Sequence, residues 1–259
     1  MTDSLPGTFP AGLERRAFAH AGVRRDVFQA PLTGPPVIVI HEAGGLNNRT
    51  MAVADTLTGA GFSAVLPVLL DTPRPKTSAS QLGRNMRTIC TAAEFAAFAH
   101  DEPAPIATWL RALARDLSDR AGGTRVGVIG MCFSGSFALA MVTEPAVAAA
   151  VVSQPALPFP LPGRRTALGM SAEELDAVAA RADEGFCVRT LRYQRDFLSP
   201  GVRMRFMEEM LPNASIVEMP TWNPFDHSVL VNATKAPADS DLGRALAGTI
   251  TYLKERLIR

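Results

Sequence analysis

One of the three cysteines, Cys132, lies in the sequence context of a catalytic nucleophile. Residues 125–136 read RVGVIGMCFSGS, an apolar strand pattern that runs into the cysteine and continues as a helical pattern. A strand–turn–helix of this kind needs small residues near its central side chain, and Gly130 and Ser134 stand two positions to either side. The helix beginning after Cys132 directs N–H groups and a positive dipole end towards the sulfur, which favours thiolate. We predict a nucleophile elbow at Cys132.

The sequence allows two other interpretations of the cysteines and their surroundings. Free cysteine is often a small buried hydrophobe, and that interpretation suits Cys187, inside a strand pattern, while Cys90 receives no role. The glycine-rich segment could instead be a dinucleotide-binding turn, but that turn requires glycine where Cys132 stands. An acidic residue should also follow the next strand, which leads into Ser153 and Gln154.

The base that a cysteine nucleophile needs is predicted to be His227. The order nucleophile–acid–histidine places the histidine between the last strand and the last helix, where His227 stands. A solvated loop side chain is the alternative for such a histidine. The other three are His20 before the core, His41 at the end of an apolar run, and His100 in a long insert.

Asp196 is the predicted acid because it follows the strand pattern of residues 187–193. It could instead cap the turn or helix that begins near residue 201. Asp226 is adjacent to His227, and neighbours in sequence rarely face one another, while Glu209 falls mid-helix. The oxyanion hole is predicted to use the backbone N–H groups of Phe133 and Ala43.

The elements that must position these residues are those of a parallel sheet. Short apolar runs alternate with helical patterns, which predicts an α/β fold with a doubly wound, mostly parallel sheet. Functional residues of such sheets lie beyond the carboxyl ends of the strands. The predicted strands are 36–40, 62–68, 126–130, 147–152, 187–193 and 215–219, with an edge strand at 23–29; helices are predicted around 106–117, after Ser171, from about 201, and at 242–257.

The length of 259 residues fits one domain, 1–259, with two long connections, 69–102 and 153–170, as possible lid segments. A net charge of +1 does not favour nucleic acid or an anionic membrane as partner. Three cysteines without close spacing argue against disulfides or a zinc knuckle, and reduced thiols suggest the cytoplasm. Neither a signal peptide nor a transmembrane run is evident.

The sequence resembles the dienelactone hydrolase family. The resemblance covers about residues 20–257 in outline, and its motifs are residues 37–47 (VIVIHEAGGLN), 61–67 (GFSAVLP) and 130–135 (GMCFSG), then Asp196 and His227. It implies an α/β-hydrolase fold with a Cys–His–Asp triad and neither metal nor cofactor. It also implies that Glu42 contacts the thiol and helps to activate it. A carboxylate there disfavours thiolate by repulsion yet can accept the thiol proton.

The sequence departs from the family pattern at several positions. Ser134 replaces a glycine of the elbow, and Ser228 follows the histidine where glycine is usual. The insert up to residue 102 does not follow the family. The resemblance implies arginines for a substrate carboxylate, for which the candidates are Arg84, Arg87 and Arg205.

These residues predict hydrolysis of a small carboxylic ester or lactone through a thioester on Cys132. Two alternatives stay open. One is a non-catalytic ligand-binding or thiol-sensing protein on a degenerate hydrolase fold. The other is an acyltransferase whose site excludes water.

Overall fold

The computed structural model describes residues 10, 12–96 and 101–258, with residues 94 and 96 described as backbone only. Within them, one sheet has the strand order β1-β2-β4-β3-β5-β6-β7-β8. The strands β3 to β8 run parallel, and β1 and β2 are antiparallel. The strands are β1 (Glu14–His20), β2 (Val23–Gln29), β3 (Pro36–Ile40), β4 (Ser63–Pro67), β5 (Val126–Met131), β6 (Val147–Ser153), β7 (Val188–Tyr193) and β8 (Ser215–Met219).

Helices cover both faces of the sheet, which confirms the predicted doubly wound architecture. Helices α1, α8 and α9 pack on one face, and the other face packs against α4, α5 and α6. The helices are α1 (Asn48–Gly59), α2 (Ala79–Thr91), α3 (Ala93–Ala96), α4 (Pro105–Arg120), α5 (Gly135–Ala140), α6 (Ala172–Asp183), α7 (Gly201–Met210), α8 (Val229–Ala233) and α9 (Asp241–Leu257). Among the described residues, no helix combines the length and apolarity that crossing a membrane needs.

Strand β3 shows why the central strands are continuously apolar. Ile38 and Ile40 belong to the cluster that contains Trp109 of α4, whereas Val37 and Val39 belong to the cluster that contains Leu253 of α9. Successive side chains of a strand point to opposite faces, so a strand covered on both faces needs apolar residues at every position. The loops that follow β3 and β5 therefore start from fully buried strands.

The strand predicted at 23–29 is present with these bounds, but the prediction that it forms the edge of the sheet was wrong. Strand β1 pairs outside β2 and forms the edge. The two strands are joined by Ala21 and Gly22, both with positive φ (49° and 79°), as in a tight hairpin turn. Most β1 residues are exposed, and only Arg16 and Phe18 are half-buried, so the strand shows too little apolar alternation for the sequence to reveal it.

The two long connections pack against the site-bearing loops. In the described part of 69–102, Thr77 Oγ1 donates to the Gly44 carbonyl (2.6 Å) and Asn85 Nδ2 to the Ala43 carbonyl (2.9 Å). In 153–170, the stretch 154–158 is buried, and Ser136 Oγ donates to the Leu157 carbonyl (2.6 Å). Their role as lids stays a prediction.

Candidate active site

Cys132 occupies a strained turn between β5 and α5. It is half-buried and has φ +60°, a left-handed conformation that residues with a Cβ rarely adopt. The turn leaves no room for larger neighbours: a Cβ on Gly130 would lie 2.2 Å from the Ser134 carbonyl oxygen. A Cβ on Gly135 would lie 2.8 Å from Pro155 Cα. The elbow geometry predicted from the sequence is thus present at Cys132.

Ser134 fastens this elbow to the end of β3. Its Oγ accepts the Met131 N–H (2.9 Å) and lies 3.1 Å and 3.2 Å from the carbonyl oxygens of Ile40 and His41. The side chain is fully buried. The Ser134 hydroxyl therefore links the turn at Cys132 to the loop that begins at His41.

Asp196 lies beyond the end of β7 with its carboxylate buried. Oδ1 accepts the N–H groups of Leu198 (2.9 Å) and Ser199 (3.2 Å), and Oδ2 lies 2.6 Å from His227 Nδ1. The loop is held by Arg192, whose Nε donates to the Ser199 carbonyl (2.7 Å). Backbone donors thus fix the carboxylate towards the histidine.

His227 lies between Asp196 and Cys132. Its Nε2 is buried and has no hydrogen-bond partner among the described residues. Burial alone would lower the pKa of His227, but the hydrogen bond to Asp196 and the nearby Cys132 side chain outweigh it and raise the pKa to about 10. The imidazole is therefore held by Asp196 at one nitrogen and interacts with Cys132, which favours its protonated form.

Glu42 is held on both sides of its carboxylate. Oε1 accepts a hydrogen bond from Gln154 Nε2 (2.9 Å), and Oε2 lies 3.5 Å from an Arg49 guanidinium nitrogen. Its side chain is 14% exposed, whereas that of Arg49 is 47% exposed. Glu42 thus lies at the carboxyl end of the sheet, where the sequence placed it, and the contacts described for it are with Gln154 and Arg49.

Hydrogen bonds within the loop after β3 hold the segment that carries Ala43, the predicted oxyanion donor. The Glu42 carbonyl accepts from Gly45 N–H (2.9 Å) and from His41 Nδ1 (2.8 Å). His41 Nε2 accepts the Leu69 N–H (3.2 Å), so the ring is neutral, and burial lowers its pKa to about 4. His41 therefore serves the loop structurally. Phe133, the other predicted donor, is buried directly after Cys132.

The two other candidate acids, Asp226 and Glu209, lie away from His227 Nδ1. Asp226 accepts from Asn223 Nδ2 (3.0 Å) and from the Thr221 hydroxyl, within its own loop. Glu209 is exposed on α7. Of the alternatives weighed for the acid, the structure brings only Asp196 to His227 among the residues it describes.

The three arginines suggested for a substrate carboxylate are exposed. Arg84 and Arg87 lie on α2, where Arg84 pairs with Asp71 (2.9 Å), and Arg205 lies on α7. Their role stays a prediction. Cys90 is exposed on α2 and Cys187 is half-buried just before β7. His20 is exposed at the end of β1, and His100 lies outside the described residues.

Sequence reasoning gave no site role to Arg49, Asn85 or Gln154. Arg49 follows β3 and Gln154 follows β6, and both strands end at the site. Their positions after these strands could have marked them as candidate site residues. Asn85 is buried in the insert, where no local pattern marks it. No cluster of three or more metal-ligating side chains occurs in the part of the chain that the structure describes.

A mostly parallel sheet with a strained turn after its central strand, here at Cys132, is the architecture of the α/β-hydrolase fold. The chain belongs to the dienelactone hydrolase family, because the model of that family matches residues 27–184. This match confirms the resemblance seen in the sequence. A comparison with curated proteins gave no match.

Solved structures share the fold over nearly the whole chain. A Klebsiella pneumoniae protein assigned as a dienelactone hydrolase is 17% identical, with 94% of this chain and 98% of that chain covered at a TM-score of 0.67. A dienelactone hydrolase-like promiscuous phosphotriesterase from metagenomic libraries is 16% identical, with 94% and 98% covered at 0.63. A cold-adapted esterase from an Arctic intertidal metagenomic library is 15% identical, with 95% and 94% covered at 0.62. Family and fold together define a hydrolase.

Proposed function

We propose that this hydrolase cleaves a small carboxylic ester or lactone through a thioester on Cys132. Membership of the dienelactone hydrolase family supports the reaction class. Two of the similar structures are named as an esterase and a phosphotriesterase, which makes an ester-type substrate the best supported choice. The three free cysteines fit a reducing compartment such as the cytoplasm.

The observation that carries the proposal is the line of groups Asp196–His227–Cys132. The 2.6 Å contact between Asp196 Oδ2 and His227 Nδ1 fixes the ring, and Nε2 is buried and free of other described partners. A histidine so held can take a proton from sulfur and return it to a leaving oxygen. An imidazolium beside the sulfur also favours the nucleophilic thiolate.

In the proposed reaction, Cys132 Sγ attacks the carbonyl carbon and forms the C–S bond. The oxyanion accepts hydrogen bonds from the N–H groups of Phe133 and Ala43. As the C–O bond breaks, His227 gives its proton to the leaving alcohol, which stays attached to the acyl group when the substrate is a lactone. His227 then takes a proton from water, which attacks the thioester and releases the acid and the thiol.

The test is turnover of p-nitrophenyl acetate by the full chain and its Cys132→Ala variant. We expect kcat/KM to fall about a hundredfold or more, because removal of a nucleophile commonly costs at least that much. Cys90→Ala is the matched control, since Cys90 is exposed on α2. Intact-protein mass spectrometry should detect an acetyl group on the wild type and none on Cys132→Ala.

Unchanged turnover in a folded Cys132→Ala variant would overturn the proposal. Rapid alkylation of Cys132 in a protein that turns over no ester or lactone would instead favour the thiol-sensing alternative. Transfer of the acetyl group to added alcohol in preference to water would identify an acyltransferase.

A further inference from the structure

Gln154 occupies an unusual position at the end of β6. Its side chain is fully buried, and its φ of +35° lies in the left-handed region that non-glycine residues rarely adopt. Strained, buried residues of this kind persist only where surrounding contacts hold them, and they concentrate at functional sites. Gln154 is also polar, so its burial requires partners for both ends of its amide.

The side-chain amide of Gln154 bridges two loops of the site. Nε2 donates to Glu42 Oε1 (2.9 Å) in the loop after β3. Oε1 accepts the N–H of Val229 (3.2 Å), the first residue of α8 and two positions after His227. The Ser153 hydroxyl also donates to Oε1. These partners fix the orientation of the amide. The Glu42 carboxylate can only accept, so it faces the NH2 group, and the Val229 N–H can only donate, so it faces the amide oxygen.

The backbone around Gln154 contacts the two remaining segments of the site. Its N–H donates to the Leu191 carbonyl (2.6 Å) in β7, the strand that leads to Asp196. Two residues further on, the Ala156 N–H donates to the Cys132 carbonyl (3.0 Å). Residues 154–156 therefore join the segments that carry Glu42, Cys132, Asp196 and His227.

We propose that Gln154 is a positioning residue that fixes Glu42 and the His227 loop relative to the nucleophile; the proposal rests on the hydrolytic function inferred above. The amide of Gln154 is planar and rigid, so its two hydrogen bonds set the spacing between the loops after β3 and β8. If the Gln154 side chain is removed, Arg49 is the one described partner that remains for the Glu42 carboxylate, and the side chain of Arg49 is half exposed. The carboxylate would then turn towards α1 and solvent, and the N–H of Val229 would lose its acceptor.

The first experiment compares Gln154→Met with a matched buried glutamine, Gln81→Met. Gln81 on α2 is 2% exposed and donates one hydrogen bond to the Thr72 carbonyl (3.2 Å), away from the four segments joined by residues 154–156. We expect Gln154→Met to lower kcat for p-nitrophenyl acetate about tenfold or more with KM within about threefold, since positioning acts on the chemical step. Gln81→Met should keep kcat, because Gln81 contacts none of those four segments. Equal losses of kcat in the two variants, or a kcat for Gln154→Met within about twofold of wild type, would overturn the proposal.

An exchange of the two side chains tests the bridge itself and does not depend on Gln154→Met folding. Gln154→Glu places two carboxylates against each other and should lower kcat. The double variant Glu42→Gln/Gln154→Glu restores a hydrogen bond of opposite direction between positions 42 and 154, and the carboxylate at 154 still accepts from Val229. We expect Gln154→Glu to lower kcat less in the Glu42→Gln background than in the wild type, because only the wild type then places two carboxylates together. An equal loss of kcat in both backgrounds would mean that the bridge does not position the site.

Alkylation of Cys132 by iodoacetamide, followed by peptide mass spectrometry, separates this proposal from the proposed function because it needs no turnover. Loss of the two Gln154 bonds frees both the His227 loop and the Glu42 carboxylate, so the surroundings of the Cys132 sulfur change. The rate of alkylation at pH 7 should therefore differ from that of the wild type in Gln154→Met and match it in Gln81→Met. An unchanged rate in Gln154→Met would reject the positioning role even if the wild type proves to be an esterase. A changed rate in a protein without esterase activity would retain the positioning role and reject the hydrolytic function.

Discussion

Asp196 divides its carboxylate between His227 and the backbone of its own loop. Oδ2 lies 2.6 Å from His227 Nδ1, while Oδ1 accepts the N–H groups of Leu198 and Ser199. The side chain of Asp196 is 1% exposed and that of His227 is 16% exposed, so water screens their interaction little. The carboxylate thereby favours a proton on Nδ1, and together with the Cys132 side chain it raises the pKa of His227.

The first prediction concerns Asp196→Asn. An amide can donate to His227 Nδ1 and so favour the wrong tautomer, which leaves the base unable to act. We expect kcat for p-nitrophenyl acetate to fall about a hundredfold or more with the fold retained. Asp226→Asn is the control, because Asp226 bonds to Thr221 and Asn223 within its own loop. A larger loss for Asp226→Asn than for Asp196→Asn would mean that the acid has been misassigned.

The second prediction concerns stability and pH. Because the pKa of His227 is raised from 6.5 to about 10 in the fold, the folded protein binds more protons than the unfolded chain between these values. The free energy of unfolding that His227 contributes is therefore fully present below pH 6.5 and is lost as pH rises towards 10, by at most about 1.4 kcal/mol per pH unit.

Urea unfolding of the wild type and of His227→Gln across this range measures the effect. The difference between their free energies of unfolding should shrink steadily from pH 6.5 to pH 10. A difference that grows with pH would mean that the fold lowers the pKa of His227.

The third prediction concerns the Ser134 hydroxyl. Ser134→Ala removes the acceptor of the Met131 N–H and a link to the end of β3, so it should cost about 1–3 kcal/mol of stability and also lower kcat. Ser63 is a matched buried serine that donates to the Pro31 carbonyl (2.8 Å) and accepts the Gly34 N–H (3.1 Å) at the start of β4. Ser63→Ala should lose comparable stability and keep kcat. Thermal unfolding and esterase assays on both variants would show whether the elbow needs this hydroxyl.

The fourth prediction concerns Gly130. A Cβ there would lie 2.2 Å from a backbone oxygen and 2.8 Å from Ala138 Cβ, so Gly130→Ala must displace the turn that carries Cys132. We expect loss of soluble folded protein or of nearly all activity. At Gly83, in α2, an added Cβ meets nothing within 4 Å, and Gly83→Ala should stabilise by up to about 1 kcal/mol through helix propensity. A fully active Gly130→Ala variant would contradict the elbow geometry.

The sequence by itself determined the fold class and the position of the strained turn at Cys132. Continuous apolar runs such as residues 36–40 mark strands covered on both faces, and the observed β3 has these bounds. The turn at Cys132 could be predicted because its requirement is local: small residues at 130 and 134 are close in sequence. The order of elements then placed Asp196 and His227 in loops at the same end of the sheet.

Only the tertiary structure decided which side chains in those loops meet. Gln154 and Glu42 are 112 positions apart, and their contact depends on the loops after β3 and β6 converging beyond β5, the strand between them. The tertiary structure also decided that β1 is the edge strand, since most of its residues are exposed and only two are half-buried. Short-range sequence patterns predict which residues are buried and where the backbone must turn sharply, because both depend on residues close in sequence. Contacts between distant loops depend on strand order and on how each loop packs.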